Sequence, residues 1–162
     1  MNKSHLFNLD NIDISILDIL QQDGRMSFSD LARQVNLSQP AVYNRVKRLE
    51  KLGLIRNYVA LLDRELIGYD LLCFIHINIQ AHSYERISEF REAVLSLPQV
   101  SECHHLTGTF DYLLKVSLRN RTNLEQFVVE KITSLPGVNR VQTSIVLSEV
   151  KSTTALYLDE LI

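Results

Sequence analysis

The chain has 162 residues, 46% hydrophobic and 22% charged, with 17 basic against 19 acidic side chains. This composition argues against disorder, the length fits one domain or two small ones, and no stretch approaches the ~20 apolar residues of a membrane span. The opening residues lack the apolar block of a signal peptide, so the expected compartment is the cytoplasm.

In chain order, Ile12, Ile16, Ile19 and Leu20 recur at helical spacing over 10–22, with Asp10 and Asp13 suited to the positive end of that helix and Gly24 behind it. Ser27-Phe28-Ser29-Asp30 reads as a capping box opening a short helix with Leu31, Ala32 and Val35 inward. Asn36-Leu37 is a tight break. Ser38 then caps a third helix, with Pro40 in its first turn and Gly53 as its stop. Residues 54–62 are apolar and partly β-branched, which predicts strand structure near a hairpin, and 63–69 reads as a linker.

Three short helices followed by a strand pair form the winged helix-turn-helix pattern. Within 38–52, Val42, Val46 and Leu49 share one side, while Pro40, Tyr43, Asn44, Lys47 and Lys51 cluster on the other with Arg48 at its edge. Window 38–58 holds five basic residues against Glu50 alone, the local stripe a phosphate backbone meets. Asn pairs with adenine edges and Lys with guanine. Arg45, nearer the buried flank, reads as a phosphate or scaffold contact, and Ser38 and Gln39 sit where helix N–H groups favour a phosphate. The candidate DNA contacts are therefore Ser38, Gln39, Tyr43, Asn44, Arg45, Lys47 and Arg48. A solvated face on an ordinary three-helix unit is the plain alternative.

The remainder carries an internal repeat. Leu97-Pro98-Gln99-Val100 and Leu135-Pro136-Gly137-Val138 lie 38 residues apart. Each ends a helix-period segment (Ile87, Phe90, Val94, Leu97; Leu124, Val128, Ile132, Leu135) flanked by strand-like runs, 71–80 and 100–106, then 110–118 and 138–149. Strand–helix–strand twice is the βαββαβ, ferredoxin-like pattern. Leu71, Cys73, Ile75, Ile77 and Ile79 should face the helices, with Leu72, Phe74, His76, Asn78 and Gln80 opposite. In the last strand, Val141, Ile145 and Leu147 fall on one side and Val138 and Val146 on the other. Apolar residues on the uncovered face predict a partner sheet, most simply in a symmetric dimer.

Leu106-Thr107-Gly108-Thr109-Phe110-Asp111 joins the repeat halves. Gly108 permits a tight turn, turn N–H groups can hold a carboxylate, and Asp111 could pair with an α-ammonium, which together are the minimum an amino acid requires. A plain turn capped by Asp111 fits the same residues.

In order and spacing the sequence resembles the Lrp/AsnC (feast/famine) family of transcription regulators. The resemblance runs from Leu9-Asp10 through Gly24-Arg25, Leu37-Ser38, Arg45-Val46 and Gly53-Leu54-Ile55 to Leu106-Thr107-Gly108-Thr109-Phe110-Asp111, Leu135-Pro136-Gly137-Val138 and Glu149-Val150-Lys151. It implies an α+β chain: a winged helix-turn-helix domain (1–62), a linker (63–69) and a ligand-sensing, dimerising βαββαβ RAM domain (70–162). It further implies binding of double-stranded DNA, a small effector that is most simply an amino acid, and a homodimer assembling into tetramers or octamers. The implied effector residues are Leu106, Thr107, Gly108 and Asp111, completed by Thr143, Ser144 and Ile145 at a junction between dimers.

Other chemistries find little footing. Cys103-His104-His105, with His76 and His82 elsewhere, offers at most two ligands on one strand face, so no metal or cofactor is expected. Cys73 and Cys103 are expected as reduced core thiols and the histidines as half-buried. The rivals are a tetrapyrrole-decarboxylating enzyme on the same two-domain plan and a ligand-sensing scaffold without DNA activity.

Overall fold

Asp10 starts the first helix in this computed structural model, which describes residues 9–80 and 84–158; His82 lies outside them. Its carboxylate accepts the Asp13 N–H at 2.8 Å, and Asp13 returns the bond to the Asp10 N–H at 3.2 Å, a reciprocal box opening α1 (Asn11–Gln22). At α2 (Phe28–Gln34) only half the expected box forms. Ser27 Oγ accepts the Asp30 N–H, but the Asp30 carboxylate takes the Ser27 hydroxyl (2.6 Å) and Arg33 instead of the Ser27 N–H. Asn36 then adopts a left-handed φ of 53°, and the Leu37 N–H reaches back to the Ala32 carbonyl at 3.0 Å. Ser38 caps α3 (Gln39–Lys51). Ile16, Leu31, Ala32, Val42, Val46 and Leu49 form the shared core, as the periodicity requires.

One expectation fails in this unit. Residues 54–62 form no strand. Leu54 and Ile55 pack on the three-helix core, but Val59, Leu61 and Leu62 are exposed. Their β-propensity finds no partner strand, and a single strand has no ladder to close. The last segment also belongs elsewhere: the chain divides into residues up to Leu61 together with those from Lys151, and a second unit, 62–150. The Gln21 amide clasps the tail, donating to the Leu156 carbonyl (3.1 Å) and accepting its N–H (2.6 Å). Residues 151–158, at the end of the span 70–162 expected for the second domain, thus pack with the first unit. The linker 63–69 is an ordered turn, closed by the Asp63 carboxylate on the N–H groups of Glu65 and Leu66.

The second unit runs β1 (Leu71–Ile79), α4 (Tyr84–Leu95), β2 (Val100–His105), β3 (Tyr112–Leu118), α5 (Arg121–Gln126), a π-helical turn (Phe127–Ile132) and β4 (Val138–Ile145). The antiparallel sheet has the order β2-β3-β1-β4, the ferredoxin-like arrangement. Ile75, Ile77, Phe90, Val94, Tyr112, Leu114, Val116 and Ile132 fill the core between sheet and helices. The twin Leu-Pro turns match, with Val100 N–H bonding Leu97 O at 3.1 Å and Val138 N–H bonding Leu135 O at 3.3 Å.

A register shift at Asn78/Ile79 places Val138 opposite Ile79 and Arg140 opposite Asn78. Val138 therefore joins Val141 on the core side instead of opposing it, because one extra residue resets the alternation. The π turn similarly buries Phe127 and Ile132, five residues apart, where a regular helical stripe had omitted Phe127. Cys73 is buried, but Cys103 is exposed, as are His104 and His105, because β2 is an edge strand. On the open sheet face, Phe74, His76 and Leu113 are half-buried, and Glu102 takes Lys115 and His104 at 3.0 Å each.

Candidate functional site

The outward face of α3 is built by its inward one. Burial of Val42, Val46 and Leu49 leaves Ser38, Gln39, Tyr43, Asn44, Lys47 and Arg48 exposed together, with Arg45 at the flank. Tyr43 packs edge-on against Phe28 (centroids 5.3 Å), and Lys47 Nζ lies 5.8 Å from the Tyr43 ring centre.

The basic stripe is not free charge. Arg45 Nη1 reaches Asp10 Oδ2 and Asp13 Oδ1 at 2.8 Å each, and Arg48 pairs with Asp13 Oδ2. Lys47 Nζ donates to Glu50 at 2.7 Å, and the Tyr58 hydroxyl donates to the other Glu50 oxygen at 3.2 Å. These contacts raise the pKa of Lys47 and lower that of Glu50 below its usual range, while burial, aided by the Glu50 carboxylate, pushes Tyr58 up to about 12. Among the described residues, Lys51 and Arg56 make no ion pair. A phosphate approaching this face would meet Arg45, Lys47 and Arg48 already paired within the unit, and Lys51 and Arg56 not.

The loop between β2 and β3 is stitched to β1. Leu106 N–H bonds Asp111 O at 2.8 Å, Asp111 N–H bonds Ile77 O at 3.0 Å, and the Asp111 carboxylate accepts the Ile79 N–H at 2.9 Å. Asn78 holds the Thr109 carbonyl at 2.8 Å. Gly108 has φ 124°, a conformation closed to most L-residues. Among the described residues, the N–H groups of Thr107, Gly108, Thr109 and Phe110 make no hydrogen bond, which leaves four donors on one exposed turn. Phe110 stacks edge-on with His76 (5.0 Å) and lies 5.5 Å beneath the Arg140 guanidinium.

Thr143, Ser144 and Ile145 do not join this loop within one chain. They pair with Ile75, Phe74 and Cys73, two to four positions down β1 from Ile77, the nearest residue the loop bonds, or about 7–13 Å along the strand. Thr143 and Ile145 share the helix-side face, whereas Ser144 lies on the open one.

Residues 72–156 match the Lrp/AsnC ligand binding domain, and residues 9–50 match the AsnC-type helix-turn-helix domain. The chain belongs to the Lrp/AsnC family. It is 40% identical over 158 residues to the leucine-responsive regulatory protein of Haemophilus influenzae, covering 98% of this chain and 95% of the relative. The leucine-responsive regulatory protein of Escherichia coli K12 is 38% identical, with 92% and 91% covered. Among solved structures, a Neisseria meningitidis transcriptional regulator in complex with L-Met superimposes with a TM-score of 0.93 at 37% identity, covering 96% of this chain and all of that one. An AsnC family regulator from Agrobacterium tumefaciens gives 0.90 at 32% identity, with 95% and 100% covered.

The protein is thus an Lrp/AsnC-type DNA-binding transcriptional regulator with a ligand binding domain. No described helix is long and apolar enough to cross a membrane. For an Lrp/AsnC regulator, two features of its helix-turn-helix unit escaped the sequence reading. Asp10 and Asp13 serve as the counter-charges of α3, and Glu50 as the hub of Lys47 and Tyr58. The i, i+3 spacing of Lys47 and Glu50 was a usable local signal, whereas the α1–α3 pairs join residues 32 to 35 positions apart.

Proposed function

We propose that this regulator reads DNA with Gln39, Tyr43 and Asn44 on base edges and with Ser38, Lys47 and Arg48 on the backbone, while Arg45 holds the helix in place. The carrying observation is the division of α3 into a fully buried back and an exposed polar front. Two such helices in a homodimer reach successive major grooves about 34 Å apart, so the target is partly palindromic. The effector is an amino acid. Its carboxylate meets the free N–H groups of Thr107 to Phe110 and its ammonium meets Asp111, with Leu106 beside them. Because Thr143, Ser144 and Ile145 pair with the other end of β1 and make no hydrogen bond to that turn among the described residues, a second copy completes the pocket, in a dimer or in a tetramer or octamer built from dimers. The amino acids that relatives carry in their names, leucine and methionine, support this ligand class. The activity is regulatory and not catalytic, and it is exercised in the cytoplasm.

The test is selection of duplexes from a randomised pool at physiological salt, with and without pooled amino acids. Selection of a partly palindromic sequence, with affinity shifted roughly 5–150-fold by the pool, is the expected result. An unshifted affinity removes the amino acid, and failure to enrich any sequence removes the DNA contacts.

A further inference from the structure

We propose that Asp13 is a positioning residue for DNA: its buried carboxylate presents Arg48 as a preset clasp for a backbone phosphate and keeps Arg45 out of DNA contact. This rests on α3 being the DNA-facing helix. Asp13 is the one fully buried charged residue among those described, its side chain 1% exposed. Oδ1 accepts from Arg45 at 2.8 Å, while Oδ2 accepts from the Asp10 N–H at 3.2 Å and from Arg48. One carboxylate of α1 therefore receives two cations from successive turns of α3.

The two arginines differ in what remains to them. Arg45 is 28% exposed, and its Nη1 also meets both Asp10 oxygens, at 2.9 and 2.8 Å, so its charge is spent inside the unit. Arg48 is 43% exposed and gives Asp13 only Nη2. A guanidinium carries five donors in one rigid plane. Pinning one corner fixes the direction of the others, so the ordering of a long side chain is complete before a phosphate arrives. A lysine is a point charge and cannot face two partners in that way. A buried carboxylate stripped of its partners is strongly disfavoured. Asp13 therefore keeps hold of Arg48 when the outer edge binds phosphate.

The experiment measures binding of the full chain to a duplex enriched by the wild type, for Asp13→Asn, Arg48→Ala, the double variant and Arg48→Lys, with helicity checked for each. Asp13→Asn should weaken binding about three- to tenfold, the scale of ordering one arginine, and should change it less than twofold when Arg48 is already Ala. Arg48→Lys should also bind more weakly while keeping the wild-type salt slope, since its charge is retained. Equal losses in both backgrounds would show that Asp13 acts only through the fold, and tighter binding by Asp13→Asn would show that it masks Arg48; either overturns the proposal. If Asp13→Asn does not fold, Arg48→Lys decides, and wild-type affinity there overturns it. Failure of the wild type to enrich any duplex is seen first, and is the separate failure of the DNA reading.

Discussion

At Asp10 two kinds of stabilisation share one carboxylate. It caps α1 through the Asp13 N–H and faces the Arg45 guanidinium. Burial pushes its pKa up, but the Asp13 N–H and Arg45 outweigh that and hold it below its ordinary 3.8. Because the folded-state pKa is the lower one, the stabilisation is complete above the unfolded value and drains away as pH falls through the folded one. Asp10→Asn separates the two roles, since Asn caps a helix about as well as Asp. The variant should lose about 0.5 kcal/mol near neutral pH, the scale of an exposed pair, and the gap to wild type should narrow once the pH is brought below the ordinary 3.8. Urea midpoints at both pH values check this, and a gap that does not change with pH would mean the charge contributes nothing. The cap was legible in Asp10 and Asp13 because capping is local. Their partners were not, because pairing across 35 residues follows from how α3 lies on α1, which no spacing records.

At the scale of elements, the twin turns form an internal control. Both close Leu-Pro-x-Val with the same carbonyl-to-N–H bond, yet Gly137 has φ 74° and Gln99 is not in the positive-φ region. Proline at the second position with positive φ at the third is a type II turn, whereas the Gln99 turn suits type I. Gly137→Ala should therefore cost about 1–2 kcal/mol and lower the Tm of the second unit by several degrees, whereas Gln99→Gly should cost well under 1 kcal/mol. Thermal melting compares them directly, and equal shifts would refute the distinction. The repeat, its strands and its helix faces were legible because each depends on local periodicity. The bulge that carries Val138 to the core, the π turn that buries Phe127 and the unpaired 54–62 segment were not. Each is set by registry against another element, and a single inserted residue in a strand reverses every expectation downstream.

At the scale of the whole molecule, loop 106–111 was legible as a turn with an anion beside it, but its position relative to Thr143, Ser144 and Ile145 was not. Loop 106–111 ties to the Ile77–Ile79 end of β1, while Thr143 to Ile145 pair with its other end. If one ligand touches both groups, two copies must supply them, and assembly and effector binding are then coupled equilibria. The open sheet face offers the seam. Half-buried Phe74 and Leu113 form a narrow apolar band, flanked by the Glu102–Lys115–His104 network on one side and by Arg140 over Phe110 on the other, an apolar centre with a polar rim. Phe74 lies opposite Lys115, so Phe74→Lys sets two like charges side by side and repeats them by symmetry in any two-fold interface. The variant should fold, sediment as a smaller species than the wild type, and lose its calorimetric response to amino acids in proportion to the loss of assembly. Retention of full amino-acid affinity by a dissociated variant would place the whole pocket within one chain, and Thr143, Ser144 and Ile145 outside it.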